Sequence, residues 1–141
     1  LRRSRGLGDV YKRQDFSNAA MSFGIFRQSD FTDAQFVGAQ LTNTEFRYSD
    51  MSGVNLTNAW IYGGGDWLMV DLSYADLTNA MMYDLDLRYA NLTGADLTAA
   101  DLAYLNTSYG PADLTGVTWS NTICPDGTNS DNNGNTCMNN L

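Results

Sequence analysis

Residues 71–102 read DLSYADLTNAMMYDLDLRYANLTGADLTAADL, and Leu72, Leu77, Met82, Leu87, Leu92, Leu97 and Leu102 return at every fifth position. Two places before each stands Val70, Ala75, Ala80, Leu85, Ala90, Ala95 or Ala100. The slot between them is usually Asp or Asn, and the slot after is often Ser or Thr. A helix repeats its buried face every three or four residues and a strand every two. Here the apolar steps alternate between two and three. The step of two is a short extended element whose flanking side chains both point inward, and the step of three is a corner. Repetition winds the chain into a solenoid with two slots inside and three outside. One unit cannot bury its own apolar face, so only stacked coils make a core.

Toward the N-terminus the same spacing holds for Phe16, Met21, Phe26, Phe31, Phe36, Leu41, Phe46, Met51, Leu56 and Ile61, with small residues two places before them. Phe dominates this half and Leu the other. Between Ile61 and Trp67 the step is six, and the extra residue falls in Gly63-Gly64-Gly65, where the backbone is freest to widen a corner. A two-residue excess is read in Ala103 to Asn106, after which Tyr109, Leu114 and Trp119 take up a third register.

The run A-[DN]-L-x-x, as in Ala75-Asp76-Leu77 and Ala95-Asp96-Leu97, resembles the pentapeptide-repeat family over about residues 15 to 120. The resemblance implies an all-β chain folded as a right-handed, four-sided parallel β-helix, with one pentapeptide per side and twenty residues per coil. The count then gives about five coils, a rod on the order of 24 Å long at roughly 4.8 Å per coil.

Residues 1–14, LRRSRGLGDVYKRQ, hold five of the eight Lys and Arg. Ser4 to Gln14 back-translates to a string resembling a transposon-end sequencing adapter, so the segment is set aside as non-native and expected to be disordered. Leaving out its five cations and Asp9 moves the net charge from −8 to −12. Residues 121–141 abandon the repeat for a polar loop around Cys124 and Cys137, expected to cap the open edge of the last coil. A disulfide between these cysteines implies an oxidising compartment, hence an extracellular or periplasmic location; a cytoplasmic protein with two thiols is the alternative.

Catalysis finds little to work with. There is no His, the only Lys is Lys12, and the aspartates occupy a repeat slot. A non-enzymatic module is expected, without a cofactor. One metal reading arises in the tail, where Asn129-x-Asp131-x-Asn133-Gly134 matches the front of a calcium loop, although Asn140 stands where the bidentate Glu belongs. No segment approaches the ~20 apolar residues of a membrane span.

Folded at twenty residues per coil, the outward slots form columns. Arg27, Arg47 and Arg88 share one, beside Glu45, Asp66 and Asp86. Asp30, Asp50, Asp71, Asn91 and Asp113 are read as an acidic ladder, and Asp15, Gln35, Asn55, Asp76 and Asp96 as another column. The remaining side carries Trp60 beside Met81 and Tyr62 beside Tyr83, and these four are the expected contact face for a protein or surface partner. Two other functions compete with this rigid binding or structural module. An acidic ladder can mimic DNA phosphates toward an enzyme such as gyrase, as the resemblance implies for quinolone-resistance members, without direct nucleic-acid contact. Hydroxyl columns Thr57-Thr78-Thr98 and Ser52-Ser73-Thr93 could instead meet ice or a mineral.

Overall fold

Asp30 pairs in parallel with Asp50, Asp50 with Asp71 and Asp71 with Asn91, a recurrence of 20 or 21 residues that repeats on every side of the molecule. This computed structural model describes residues 10–102 and 112–138, and single-residue bridges take the place of extended strands in it. Four bridge columns run along the axis, through Gln35, Gln40, Glu45 and Asp50 in one turn of chain, so the solenoid is four-sided. The hydrogen bonding follows from the five-residue unit. Phe31 N–H donates to the Asp50 carbonyl at 2.8 Å, while Asp50 N–H donates back to Ser29 at 3.0 Å. Most corners close on themselves, as where Ala34 N–H donates to the Phe31 carbonyl at 2.9 Å.

That corner has a left-handed third residue, as a type II turn requires. Asn18, Asn43, Asn58 and Asn79 hold the slot at φ 55–59°, and Gly38, Gly53, Gly94 and Gly116 at φ 64–72°. Asn and Gly are the residues that tolerate this conformation at least cost. The Asp or Asn two places before the corner's Ser or Thr is also explained. Its side chain accepts the otherwise unpaired N–H two residues on, as in Ser73 N–H to Asp71 Oδ1 at 2.9 Å and Thr98 N–H to Asp96 Oδ1 at 2.9 Å.

Inside, like stacks on like. Phe26 lies on Phe46 with centroids 5.2 Å apart and planes at 21°, and Phe16 on Phe36 at 5.0 Å and 18°. Neighbouring columns meet edge to face, as Phe31 and Phe46 do at 74°. The leucine half continues the core through Leu72, Leu77, Leu87, Leu92 and Leu97, all fully buried. Buried hydroxyls bond to backbone carbonyls: Ser49 donates to Phe26 of the neighbouring coil at 2.8 Å and Thr44 to Leu41 of its own corner at 2.6 Å.

Three expectations change. Residues 10–14, expected to be disordered, extend the array: Val10 bridges Asp30, and Tyr11 packs against Phe16, Phe26 and Phe31. Tyr11 stands five before Phe16, so it meets the core whatever the segment's origin. Asp113 leaves the Asp30 ladder, because it bridges Asp86 while Thr118 takes the place above Asn91. Leu114 therefore follows Leu87 and Trp119 follows Leu92, and the second insertion is longer than the two residues read from spacing. Tyr109 lies outside the described residues. Finally, the array passes residue 120, since Asp96 bridges Ile123 and Leu97 N–H donates to Ile123 at 2.9 Å.

The tail then turns back on the last coil. Ile123 pairs antiparallel with Asn129, and Ser130 N–H donates to Thr122 at 2.9 Å ahead of a short 3-10 turn, Ser130–Asn132. Cys124 and Cys137 form a disulfide with Cα atoms 5.3 Å apart, both fully buried.

Candidate interaction surfaces

The four faces carry different chemistry. On the tryptophan face, built over Met21, Leu41, Ile61 and Met82, Trp60 bridges Met81, and the Tyr62 and Tyr83 rings stack at 4.8 Å and 14°. Tyr83 is only 7% exposed, whereas Trp60 keeps 45% of its surface. The tyrosine pair therefore acts mainly in packing, and Trp60 is left as the open anchor of a smaller patch than the sequence implied.

The arginine face lies over Phe26, Phe46, Trp67, Leu87 and Leu114. Its cations are matched to carboxylates in the next column: Arg27 to Glu45, Arg47 to Asp66 at 3.3 Å, and Arg88 to Asp86 at 2.7 Å with Asp113 at 3.7 Å. Hydrogen bonds from Arg88 hold the Asp86 carboxyl below its ordinary value, and the same pairing raises Arg88. Both breaks in the repeat fall at the corner that leads onto this face, since Glu45 bridges Asp66 and Asp86 bridges Asp113. A recess of about 230 Å³ opens there beside Gly64, Gly65, Asp84, Asp86, Arg88 and Asp113. Behind it the Trp67 indole is fully buried, its Nε1 without a hydrogen-bond partner among the described residues.

The aspartate face lies over Phe31, Met51, Leu72 and Leu92. Asp30 is paired with Lys12 at 3.1 Å. Asp50 instead accepts from Ser52 N–H and Oγ, and Asp71 from Ser73 N–H and Asn91 Nδ2, so neither carboxylate has a cation among the described residues. On the fourth face, Thr57 and Thr98 turn their hydroxyls onto Asn55 and Asp96 at 2.7 and 2.6 Å. Those hydroxyls are engaged in the corner and do not stand out as a free ladder.

In the tail, Asn129 Oδ1 accepts Asp131 N–H, Asp131 Oδ1 accepts Asn121 N–H, and Asn133 Nδ2 donates to Thr128 Oγ1. All three side chains read as calcium ligands thus bond within the capping turn. No group of three or more His, Cys, Asp or Glu is placed to hold a metal among the described residues. None of their helices is long and apolar enough to cross a membrane.

One set of surface residues was missed in the sequence. Tyr48, Met69 and Tyr89 share a left-handed corner column at φ 55–60°, and Tyr74 takes the equivalent slot at the next corner. Tyr74 is 71% exposed and the other three about half. The available signal was the repeat itself: an aromatic or Met stands where Asn or Gly is at home.

The family description "Pentapeptide repeats" matches residues 25–59 and 70–105 in eight copies. No curated protein matches the chain in sequence. Among solved structures, the pentapeptide repeat protein Rfr23 from the cyanobacterium Cyanothece 51142 is similar at a TM-score of 0.60 and 20% identity, covering 78% of this chain and 80% of that one. Full-length QnrB1, a plasmid-mediated fluoroquinolone resistance protein, is similar at a TM-score of 0.50 and 16% identity, covering 94% of this chain and 79% of that one. These likenesses show the fold, a right-handed quadrilateral β-helix.

Proposed function

Since the chain belongs to the pentapeptide-repeat family, we propose that it is a non-enzymatic, rigid protein-binding module that works in an oxidising compartment. One observation carries the binding part. Exposed aromatic and Met side chains project from corners and bridges that the stacked core holds in place, so their backbone has little freedom left to lose on association. The absence of His, with Lys restricted to Lys12, supports the lack of catalysis. The buried Cys124–Cys137 bridge supports export, since disulfides persist where thiols are not kept reduced.

Chemical crosslinking in intact source cells, followed by mass spectrometry, tests this reading. A discrete species joining this chain to a second protein is expected, with Cys124 and Cys137 recovered as a disulfide. Self-conjugates alone would remove the binding role, and two free thiols would remove the export. A second reading, mimicry of DNA by the acidic ladder, draws on Asp50 and Asp71, which have no cation among the described residues. It is weakened by Asn91 and Thr118, which interrupt that column. Protection of gyrase in a supercoiling assay would favour it over the leading one.

A further inference from the structure

The aspartate face is bounded on both long edges by left-handed corners. Along the middle of the rod one edge carries Tyr48, Met69 and Tyr89, and the other carries Tyr74. A bulky residue in that conformation works against the backbone preference that Asn and Gly meet at other corners. The rings are also held in place. Tyr89 lies so close over Gly116 that an added Cβ there would sit 2.5 Å from its Cδ1, and Tyr74 covers Gly94 at 2.6 Å in the same way. Tyr48 accepts a hydrogen bond from Arg47 at 3.3 Å, with the guanidinium 5.0 Å from its ring centre. Between these edges stand Asp50 and Asp71, without a cation among the described residues, while the arginines of the neighbouring face are already paired.

We infer that this face, tyrosine-edged with Asp50 and Asp71 along its floor, is a docking surface for an arginine- or lysine-bearing segment of a protein partner. Charge complementarity selects that occupant. A guanidinium or ammonium head neutralises Asp50 or Asp71, and its aliphatic stem and π-facing side lie on the tyrosines. Nucleic acid would be repelled by the carboxylates, and a wholly apolar partner would strip them of water without return. The inference rests on the binding-module reading and names its surface.

The test uses fluorescence anisotropy at about 0.15 M salt, with two labelled peptides of equal charge. One alternates arginine with leucine and the other arginine with serine. A corner variant, Y48N/M69N/Y74N/Y89N, puts Asn where the backbone favours it, and thermal melting verifies its fold. The arginine–leucine peptide should bind the unaltered protein about tenfold more tightly than either the corner variant or D50N/D71N. The arginine–serine peptide keeps the arginine stems, so it should be weaker but should also lose affinity in both variants. Equal binding by the corner variant would overturn the inference, as would loss of binding on W60S alone or direct binding of a labelled short DNA duplex to the protein. If crosslinking finds a protein partner but the corner variant retains it, this surface is wrong and the module reading stands. If no partner is found, the module reading fails first.

Discussion

The ring of Tyr11 lies on that of Phe31, with centroids 4.6 Å apart and planes 17° apart. It also meets Phe16 and Phe26 edge to face, so it extends the phenylalanine stack toward the N-terminus. Tyr11 is half-buried, and its contribution combines lost apolar burial with the aromatic geometry. Tyr11→Ala should lower unfolding free energy by about 1–2 kcal/mol. Lys12→Ala, which breaks an exposed ion pair, should change it by less than about 0.5 kcal/mol. Urea denaturation of both variants settles the matter; a Tyr11→Ala midpoint equal to the parent's would mean that the segment packs without stabilising.

Gly94 meets two demands at once, a φ of +68° and the Tyr74 ring against its Cα. Gly94→Ala should therefore cost about 1–2 kcal/mol from the backbone, plus the displacement of Tyr74. Gly127 has φ +82° with nothing nearby, so Gly127→Ala should show the backbone part alone. In a Tyr74→Asn background the Gly94→Ala loss should shrink toward that value. A double-mutant cycle with no coupling would show that the ring does not need the glycine.

The architecture was legible because the five-residue period is imposed by the core: every slip would turn Leu or Phe outward. Tyr62 and Tyr83 could be placed side by side for the same reason, since only the single glycine-rich insertion intervenes between them. What could not be read was burial. Spacing put Tyr83 on the surface, where it is in fact covered, and passed over Tyr48, Met69, Tyr74 and Tyr89, because sequence gives a slot but not its φ. Asp113 was misplaced because the insertion before it has no periodicity to count. Residues 10–14 were set aside on origin, although Tyr11 keeps the spacing; packing depends on side chain and register, not on provenance.

Asp86 provides a pH prediction. Hydrogen bonds from Arg88 lower its folded-state pKa below the ordinary carboxylate value. A depressed carboxylate contributes stability that is fully present above the unfolded pKa and is lost as pH falls through the folded one. The protein should thus lose stability on acidification below about pH 4, and Asp86→Asn should flatten that part of the curve while leaving the region near neutrality flat. Melting temperatures measured from pH 7 to 2 give the comparison. Parallel curves for parent and variant would assign the acid sensitivity to other carboxylates.

Cys124 and Cys137 are thirteen residues apart and fully buried, and they tie the capping turn to the last coil. In the chain-entropy model a loop of this size contributes about 3 kcal/mol. A solenoid couples each coil mainly to its neighbours, so that loss should stay near the end where it arises. In C124S/C137S, hydrogen exchange should accelerate at the Thr122-bound Ser130 amide and at Ile123, which donates to Ala95. The amides of Phe36 and Leu41, in the phenylalanine half, should keep their protection. Because both sulfurs are shielded, the native bridge should also resist reductant until the tail opens, with reduction accelerating in mild denaturant. Uniform loss of protection along the whole rod would show instead that the cap and the core unfold as one unit.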